Sequence, residues 1–388
     1  MASESVVERE RTKENTQHHS DVSLWFALLF LLGFDMIMIY SASSYTAFAD
    51  YGDQMFYLKR QAVAVALGLI AMVVVSRIPY HFWERFALLG LVVSTILILL
   101  VKTSLGVESH GARRWLKTGI RGFNLQPAEV AKVAIILFLA VMICKMGAAI
   151  TKFKGFVMMM IPPAILFVLI WKVTDNLSSA LIVMAIAVIL VFVASPDYKK
   201  FVLLALLAIA GAVAIILIVK YTNPQGSFRL ARIRVWLDPE SDPDDKGFQT
   251  LQALYAIGSG GVWGKGLGQS MQKLSFLPES QNDMIFSIIC EELGVFGAAA
   301  IMLMFVVLIW RMMIVANNAP DLFGGLLVTG VIAHVAVQAV LNIAVVTNTI
   351  PNTGISLPFI SYGGSSVIFL LVEMGWVMSV ARGIEYRN

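Results

Sequence analysis

Charge is the scarcest ingredient of this chain: Asp, Glu, Lys and Arg make up 14% of its 388 residues, against about 25% in an ordinary soluble domain. So few charges cannot clothe a water-facing surface, which excludes a soluble globular enzyme. Only two cysteines occur, Cys144 and Cys290; both fall within or at the edge of hydrophobic runs and outside any metal-ligand spacing. That excludes a disulfide framework and a zinc cluster. A cleavable signal is missing as well. The first 20 residues are polar, of mixed charge and include His18-His19, and the run that begins near Val22 is too long for a signal-peptide core and lacks a cleavage site. We expect residues 1–21 to form a disordered cytoplasmic tail ahead of an uncleaved anchor. No phosphate-binding loop is present: Gly264-Lys265 has Ser259 where the first glycine belongs and is followed by Gly266. The net charge of +4 does not imply a nucleic-acid partner.

What the chain has instead is hydrophobic length, 58% of its residues. A helix needs about 20 apolar residues to cross the hydrocarbon core. Ten such runs centre near Leu31, Leu67, Val93, Leu137, Ile165, Ile186, Leu207, Met302, Ile332 and Leu371, the second and third being the shortest by this reading. An even number returns both termini to one side. Basic residues in short connections, such as Arg77, Arg85, Lys199 and Lys200, favour a cytoplasmic N-terminus and C-terminus. The expected fold is an all-α polytopic membrane protein with ten transmembrane helices, N-in and C-in. Its membrane domain runs over residues 22–383, with a large extracytoplasmic loop at 221–284 between helices 7 and 8 and a short cytoplasmic end at 384–388.

That loop, polar and glycine-rich, is too long to be a mere connection inside a compact protein and has to be folded, functional or both. Three further polar segments fall on the same outer face: Gly111 to Trp115 followed by Gln126-Pro127-Ala128-Glu129 and Lys132; Thr174 to Ala180; and Pro351 to Ser366, PNTGISLPFISYGGSS. Irregular backbone at membrane depth is tolerated only where protein or water satisfies it, so an aqueous, protein-lined pocket at the outer leaflet is expected. Within the spans, Glu129 and Lys132 stand at i,i+3 and can pair on one helix face; ionisable groups there are expensive and are usually paired or functional. We expect this pair to line the central cavity. His334, Gln338 and Asn342 share a face at i, i+4, i+8, the spacing of interhelical hydrogen bonding. Asp35 has no evident partner, and Glu291 or Glu292 could face the cavity. Asp283, where the long loop meets the eighth span, reads equally as a helix cap.

The runs GARRW, QPAE with Lys132, RIRVWLDP (Arg232 to Pro239), GFQTLQALYAIGSGGVWGKGLGQS (Gly247 to Ser270), LPESQNDMIF (Leu277 to Phe286), EELGVFG (Glu291 to Gly297) and PNTGISLPFISYGGSS resemble, in order and spacing, the family of shape, elongation, division and sporulation proteins. The resemblance extends from about residue 22 to residue 383. The last run and MIYSASSYTAFADYGDQMFYLKRQ after the first span are more similar to the division or sporulation branch than to the elongation branch. The chain departs from the family pattern at Thr174 to Ser178, Ala128, Asn282 and Met284, which leaves the turn after the fifth span open.

The resemblance implies a ten-helix peptidoglycan glycosyltransferase that polymerises lipid II. It would sit in the bacterial plasma membrane, at the division septum for a division protein, with a class B penicillin-binding transpeptidase and other divisome membrane proteins as partners. It identifies Asp283 with the family's essential aspartate, either the general base towards a sugar hydroxyl or a ligand to a divalent cation such as Mg2+ or Mn2+. Substrate contacts are expected from Arg114, Trp115, Glu129, Lys132, Arg232, Lys265 and Ser361. Plainer readings stand beside these. Arg114 and Trp115 suit a membrane-interface anchor, Arg232 suits an ion pair with Asp238, and Glu129 with Lys132 suits a structural pair. Two other functions remain open at this stage, a lipid II flippase and a non-catalytic division scaffold.

Overall fold

The computed structural model describes residues 22–109, 112–119, 123–195, 197–222, 228–242, 247–274 and 276–384. The N-terminal tail expected at 1–21 lies outside them, as do residues 385–388. Seven helices lead the chain: α1 (Val22–Tyr51), α2 (Phe56–Arg77), α3 (Ala87–Leu100, entered through a 3-10 turn at Tyr80–Phe86), α4 (Pro127–Met146), α5 (Phe153–Val173), α6 (Leu177–Ala194) and α7 (Lys199–Thr222). The long loop follows and carries two short helices, α8 (Phe228–Leu237) and α9 (Phe248–Gly260). It leads into α10 (Ile285–Asn317), α11 (Leu322–Val346) and α12 (Gly364–Arg382). Among the described residues ten helices are long and apolar enough to cross a membrane, at the positions expected from the hydrophobic runs. The order of lengths differs from that expectation: α6 and α12, of 18 and 19 residues, are shorter than the second and third spans at 22 and 21. Polar residues at the ends of the second and third runs still wind as helix, so hydropathy alone undercounts them.

The most deeply buried spans are α11 and α12. The latter lies along α2, where a Cβ on Gly375 would fall 2.9 Å from the Met72 carbonyl oxygen; small residues allow this approach between membrane helices. By contrast α7 is exposed at every position from Val202 to Ala214. One element was not expected from the sequence. Between α3 and α4 the chain forms a three-stranded antiparallel sheet of β1 (Gly106–Ser109), β2 (Ala112–Lys117) and β3 (Asn124–Leu125).

The eighth span is not continuous. At Gly294 the backbone takes φ 66° and ψ −165°, a conformation essentially confined to glycine. The turn after α9 fills the break: the Lys265 and Gly266 amides donate to the Glu291 and Glu292 carbonyls at 2.9 Å, and the Val295 and Phe296 amides donate to Gly261 and Val262 at 3.1 and 3.4 Å. Backbone groups freed inside the bilayer are thus satisfied by the loop. A Cβ on Gly294 would fall 2.4 Å from the Gly264 nitrogen. Gly294→Ala is therefore expected to lower the melting temperature of the purified protein, by a loss of about 1–3 kcal/mol from backbone strain alone; an unchanged melt would refute the steric account.

Candidate active site

Register in the small sheet places the first basic residue. Val107 pairs with Trp115 and Glu108 with Arg113, so Arg114 is the extra residue of a β-bulge, a device that re-aims a side chain. Its guanidinium reaches across to the turn after α5 and donates from Nη2 to the Asp175 carbonyl at 3.2 Å. That turn, left open by the sequence, is held by Asp175 at φ 51° and by Asn176, which caps α6 by accepting from the Ser179 amide at 3.0 Å. Burial lowers the pKa of Arg114, and the neighbouring charges of Asp175 and Asp283 push it back up.

The segment between α11 and α12 has no regular structure from Pro351 to Leu357, and side chains from three helices grip its carbonyls. Trp236 Nε1 donates to Asn348 at 3.0 Å and Arg232 Nη1 to Asn352 at 3.3 Å, both from α8. Ser178 Oγ of α6 donates to Thr353 at 2.5 Å. From α11, Asn342 Nδ2 donates to Ile355 at 2.6 Å and Gln338 Nε2 to Ser356 at 3.1 Å.

Asp283 sits where these pieces meet. Asn342 Nδ2 also donates to its carbonyl at 2.8 Å, and a Cβ on Gly354 would lie 3.5 Å from its Oδ2. On the other flank Ser361 Oγ donates to the Asn282 carbonyl at 2.7 Å and accepts from the Leu357 amide at 2.7 Å. The residue is half-buried, yet Oδ1 is enclosed and has no hydrogen-bond partner among the described residues. Its pKa is pushed up to about 7, first by burial and then by the charge of Glu279; the amides of Asp283 and Met284 and the charge of Arg232 pull the other way. A carboxylate poised near neutrality with a bare oxygen suits proton abstraction.

The same bare oxygen fits a hard cation. Asn342 Oδ1 and Thr353 Oγ1 are likewise enclosed without partners. Among the described residues no three His, Cys, Asp or Glu are grouped to hold a metal ion, so a cation here would rest on Asp283, neutral oxygens, water and phosphate, the pattern of Mg2+ sites.

The structure brings together Asp283, Arg114 and Arg232, and it sets Ser361 beside Asp283 as a backbone clasp. Trp115, half-buried, follows Arg114 on β2. Other expected site residues are engaged by charged partners of their own. Glu129 and Lys132 do not line a cavity: they are 4% and 1% exposed, paired at 2.8 Å, with Ser366 on Glu129 at 3.2 Å and Gln338 on Lys132 at 2.9 Å. Both charges are satisfied by protein, which is why neither reaches solvent. Lys265 pairs with Glu291 at 2.6 Å beside the Gly294 break, so its charge is already answered by a carboxylate. Glu292 is held by Lys273 and Ser41, at 2.8 and 2.7 Å. The expected interhelical role of the α11 polar face holds for His334, which bonds Glu373 of α12 at 2.8 Å, and for Gln338, which accepts from Lys132 of α4, whereas Asn342 bonds backbone carbonyls outside the helices. Asp35 finds Gln61 at 2.9 Å.

Two short runs match penicillin-binding transpeptidase signatures, Ser270-x-x-Lys273 and Lys117-Thr118-Gly119. Neither forms such a site: Ser270 Oγ donates to Glu291 at 2.5 Å while Lys273 Nζ sits on Glu292, and Thr118 bonds within its own turn. An apolar cleft of about 300 Å3 between α3 and α5, lined by Leu91, Thr95, Pro162 and Ile165 among others, shares no residue with the polar site.

Fold and site together define a polytopic membrane protein organised around a protonatable carboxylate at the end of its helix bundle. The chain belongs to the FtsW, RodA and SpoVE family of cell cycle proteins, whose pattern matches residues 22–386. It is 39% identical over 372 residues to stage V sporulation protein E of Bacillus subtilis, covering 94% of this chain and 98% of that one. To a probable peptidoglycan glycosyltransferase FtsW of Trichlorobacter lovleyi it is 38% identical over 367 residues, 94% of each chain. Among solved structures, a chain of a peptidoglycan synthase complex, described for its structural coordination of polymerization and crosslinking, superposes with a TM-score of 0.75 at 25% identity, over 95% of this chain and 99% of that one. The rod shape determining protein RodA of Thermus thermophilus gives 0.67 at 24% identity, over 95% and 99%; it supports the fold.

Proposed function

We propose that this protein is a peptidoglycan glycosyltransferase that polymerises lipid II at the outer face of the plasma membrane, with Asp283 as general base. The observation that carries the reading is the enclosed carboxylate oxygen of Asp283, without a hydrogen-bond partner among the described residues and with its pKa pushed up to about 7, within the electrostatic reach of Arg114 and Arg232. Lipid II carries an α-linked pyrophosphate at its anomeric carbon and the glycan is β-linked, so one inverting displacement suffices. Asp283 takes the proton from the acceptor 4-hydroxyl as the new C1–O4 bond forms. The C1–O bond to pyrophosphate breaks, and the lipid pyrophosphate leaves with the bonding pair. Arg114 and Arg232 supply the positive charge that stabilises that leaving group. A divalent cation, Mg2+ or Mn2+, held by Asp283 would supply the same stabilisation when bound. Lys265 and the Glu129–Lys132 pair act at a distance from this chemistry in the proposal, as parts of the scaffold.

In this orientation both termini are cytoplasmic and the 221–284 loop faces outward. The crosslinking partner is a class B penicillin-binding protein, in line with the complex whose chain superposes best of those described above. Likeness to FtsW and to the sporulation protein favours a role in division or sporulation over elongation. The alternatives of flippase and scaffold call for polar groups through the full bilayer depth and for a dispensable Asp283, respectively. Purified protein, alone and with its cognate transpeptidase, is expected to convert lipid II into glycan strands resolved on gels; no glycan in either case would move the flippase and scaffold readings ahead.

A further inference from the structure

We propose that Asn342 is a positioning residue for this reaction: from a buried position near the C-terminal end of α11 its side-chain amide locks the Asp283 backbone and the Pro351–Leu357 segment into one register. The inference rests on Asp283 being the base. Of the side chains that grip that segment, Asn342 is the one whose hydrogen bonds among the described residues also reach the Asp283 backbone. Its two Nδ2 hydrogens go to the Ile355 carbonyl at 2.6 Å and the Asp283 carbonyl at 2.8 Å. That double donation fixes the amide orientation, because the flipped form would set Oδ1 against two carbonyl oxygens.

Asn342 is 0% exposed and stands one helical turn beyond Gln338, which donates to the next carbonyl, that of Ser356. Gln338 is itself braced by Lys132 and His334, at 2.9 and 3.0 Å. A rail of amides on one rigid helix therefore sets where the segment lies, and Asn342 is the point at which the rail meets the backbone of the residue that carries the reacting carboxylate. An aspartate there would present a carboxylate to two carbonyls, and a leucine would fill the space while leaving both carbonyls without donors.

The test uses full-length protein with its transpeptidase partner, reconstituted in nanodiscs, and lipid II polymerisation kinetics for Asn342→Leu, Asn342→Asp and Asn342→Ser. A misplacement of about 1 Å costs on the order of 100-fold in rate. Accordingly kcat is expected to fall about 100-fold for the leucine and aspartate variants, with KM within about threefold, and by roughly 10-fold for serine, which retains one donor. Hydrogen exchange should quicken at residues 281–285 and 353–357 and remain unchanged in α2 and α12.

Wild-type kcat in any folded variant overturns the proposal, and so does a loss confined to KM. Should the leucine and aspartate variants fail to fold, the serine variant decides alone. Faster exchange with unaltered kcat would show a clamp on which catalysis does not depend, which also overturns it. Failure of the underlying reading is seen separately: Asp283→Ala would then polymerise as wild type does, whatever Asn342 does.

Discussion

Asp283→Asn is expected to lose between about 100-fold and 10,000-fold of polymerisation rate, the range over which a positioned general base contributes, while remaining folded and bound to its transpeptidase. The wild-type enzyme should gain activity as pH rises, with an apparent midpoint near the raised pKa of about 7, because only the ionised carboxylate accepts a proton. A flat pH profile between 5.5 and 8.5 (roughly the range where such groups titrate) would refute the base assignment. The same shift has a stability consequence of fixed sign. A carboxyl whose pKa rises from 3.8 to about 7 on folding binds more protons when folded. Its stabilisation is complete below about 3.8 and is lost as pH climbs through about 7. At roughly 1.4 kcal/mol per unit, the cost at pH 8 reaches about 4 kcal/mol at most. Asp283→Asn should therefore melt above wild type at pH 8 and level with it near pH 4, so that the inactive variant is the more stable one at neutral and alkaline pH.

Breaking the Glu129–Lys132 pair is the second large effect. Both side chains are enclosed, and the hydrogen bonds from Gln338 and Ser366 leave little room for water to replace a lost partner. Lys132→Met strands Glu129, and Glu129→Gln strands Lys132. Each should cost about 3–5 kcal/mol, the usual penalty for a buried charge without its partner. The double variant Glu129→Gln/Lys132→Met should recover most of that loss, because no charge is then left uncompensated. Thermal melts of the four proteins in one detergent form a double-mutant cycle. Additive single losses would mean that the two side chains act independently, and the pair would then lose its structural role. Activity in the double variant discriminates further: glycan synthesis by it shows that neither charge touches substrate.

The spans were legible because crossing a bilayer demands about 20 apolar residues in one stretch, a signal carried by each segment alone. The i,i+3 relation of Glu129 and Lys132 was legible for the same local reason. Their burial was not, since it depends on Gln338 and Ser366, more than 200 residues away. Spacing grouped His334, Gln338 and Asn342 but could not say that Glu373 answers the first and loop carbonyls the other two. The bulge at Arg114 depends on strand register, and pairing across a two-residue offset leaves no mark in composition. Nor does EELGVFG announce a broken helix: glycine is common in membrane spans, and only the arrival of the turn at 261–266 makes Gly294 a break.

That break bears on the order of assembly. Alone, Ile285–Asn317 has no reason to interrupt itself; as a continuous helix of 33 residues it would run about 50 Å, well beyond a hydrocarbon core of about 30 Å. The piece before the break, residues 285–293, acquires its observed course only when the hairpin after α9 docks and takes over the Glu291, Glu292, Val295 and Phe296 backbone groups. Asp283 lies at the head of that piece. A newly inserted chain can therefore have all its spans in the bilayer and still lack a formed active site, so that tertiary docking, rather than membrane insertion, is the step that arms the enzyme.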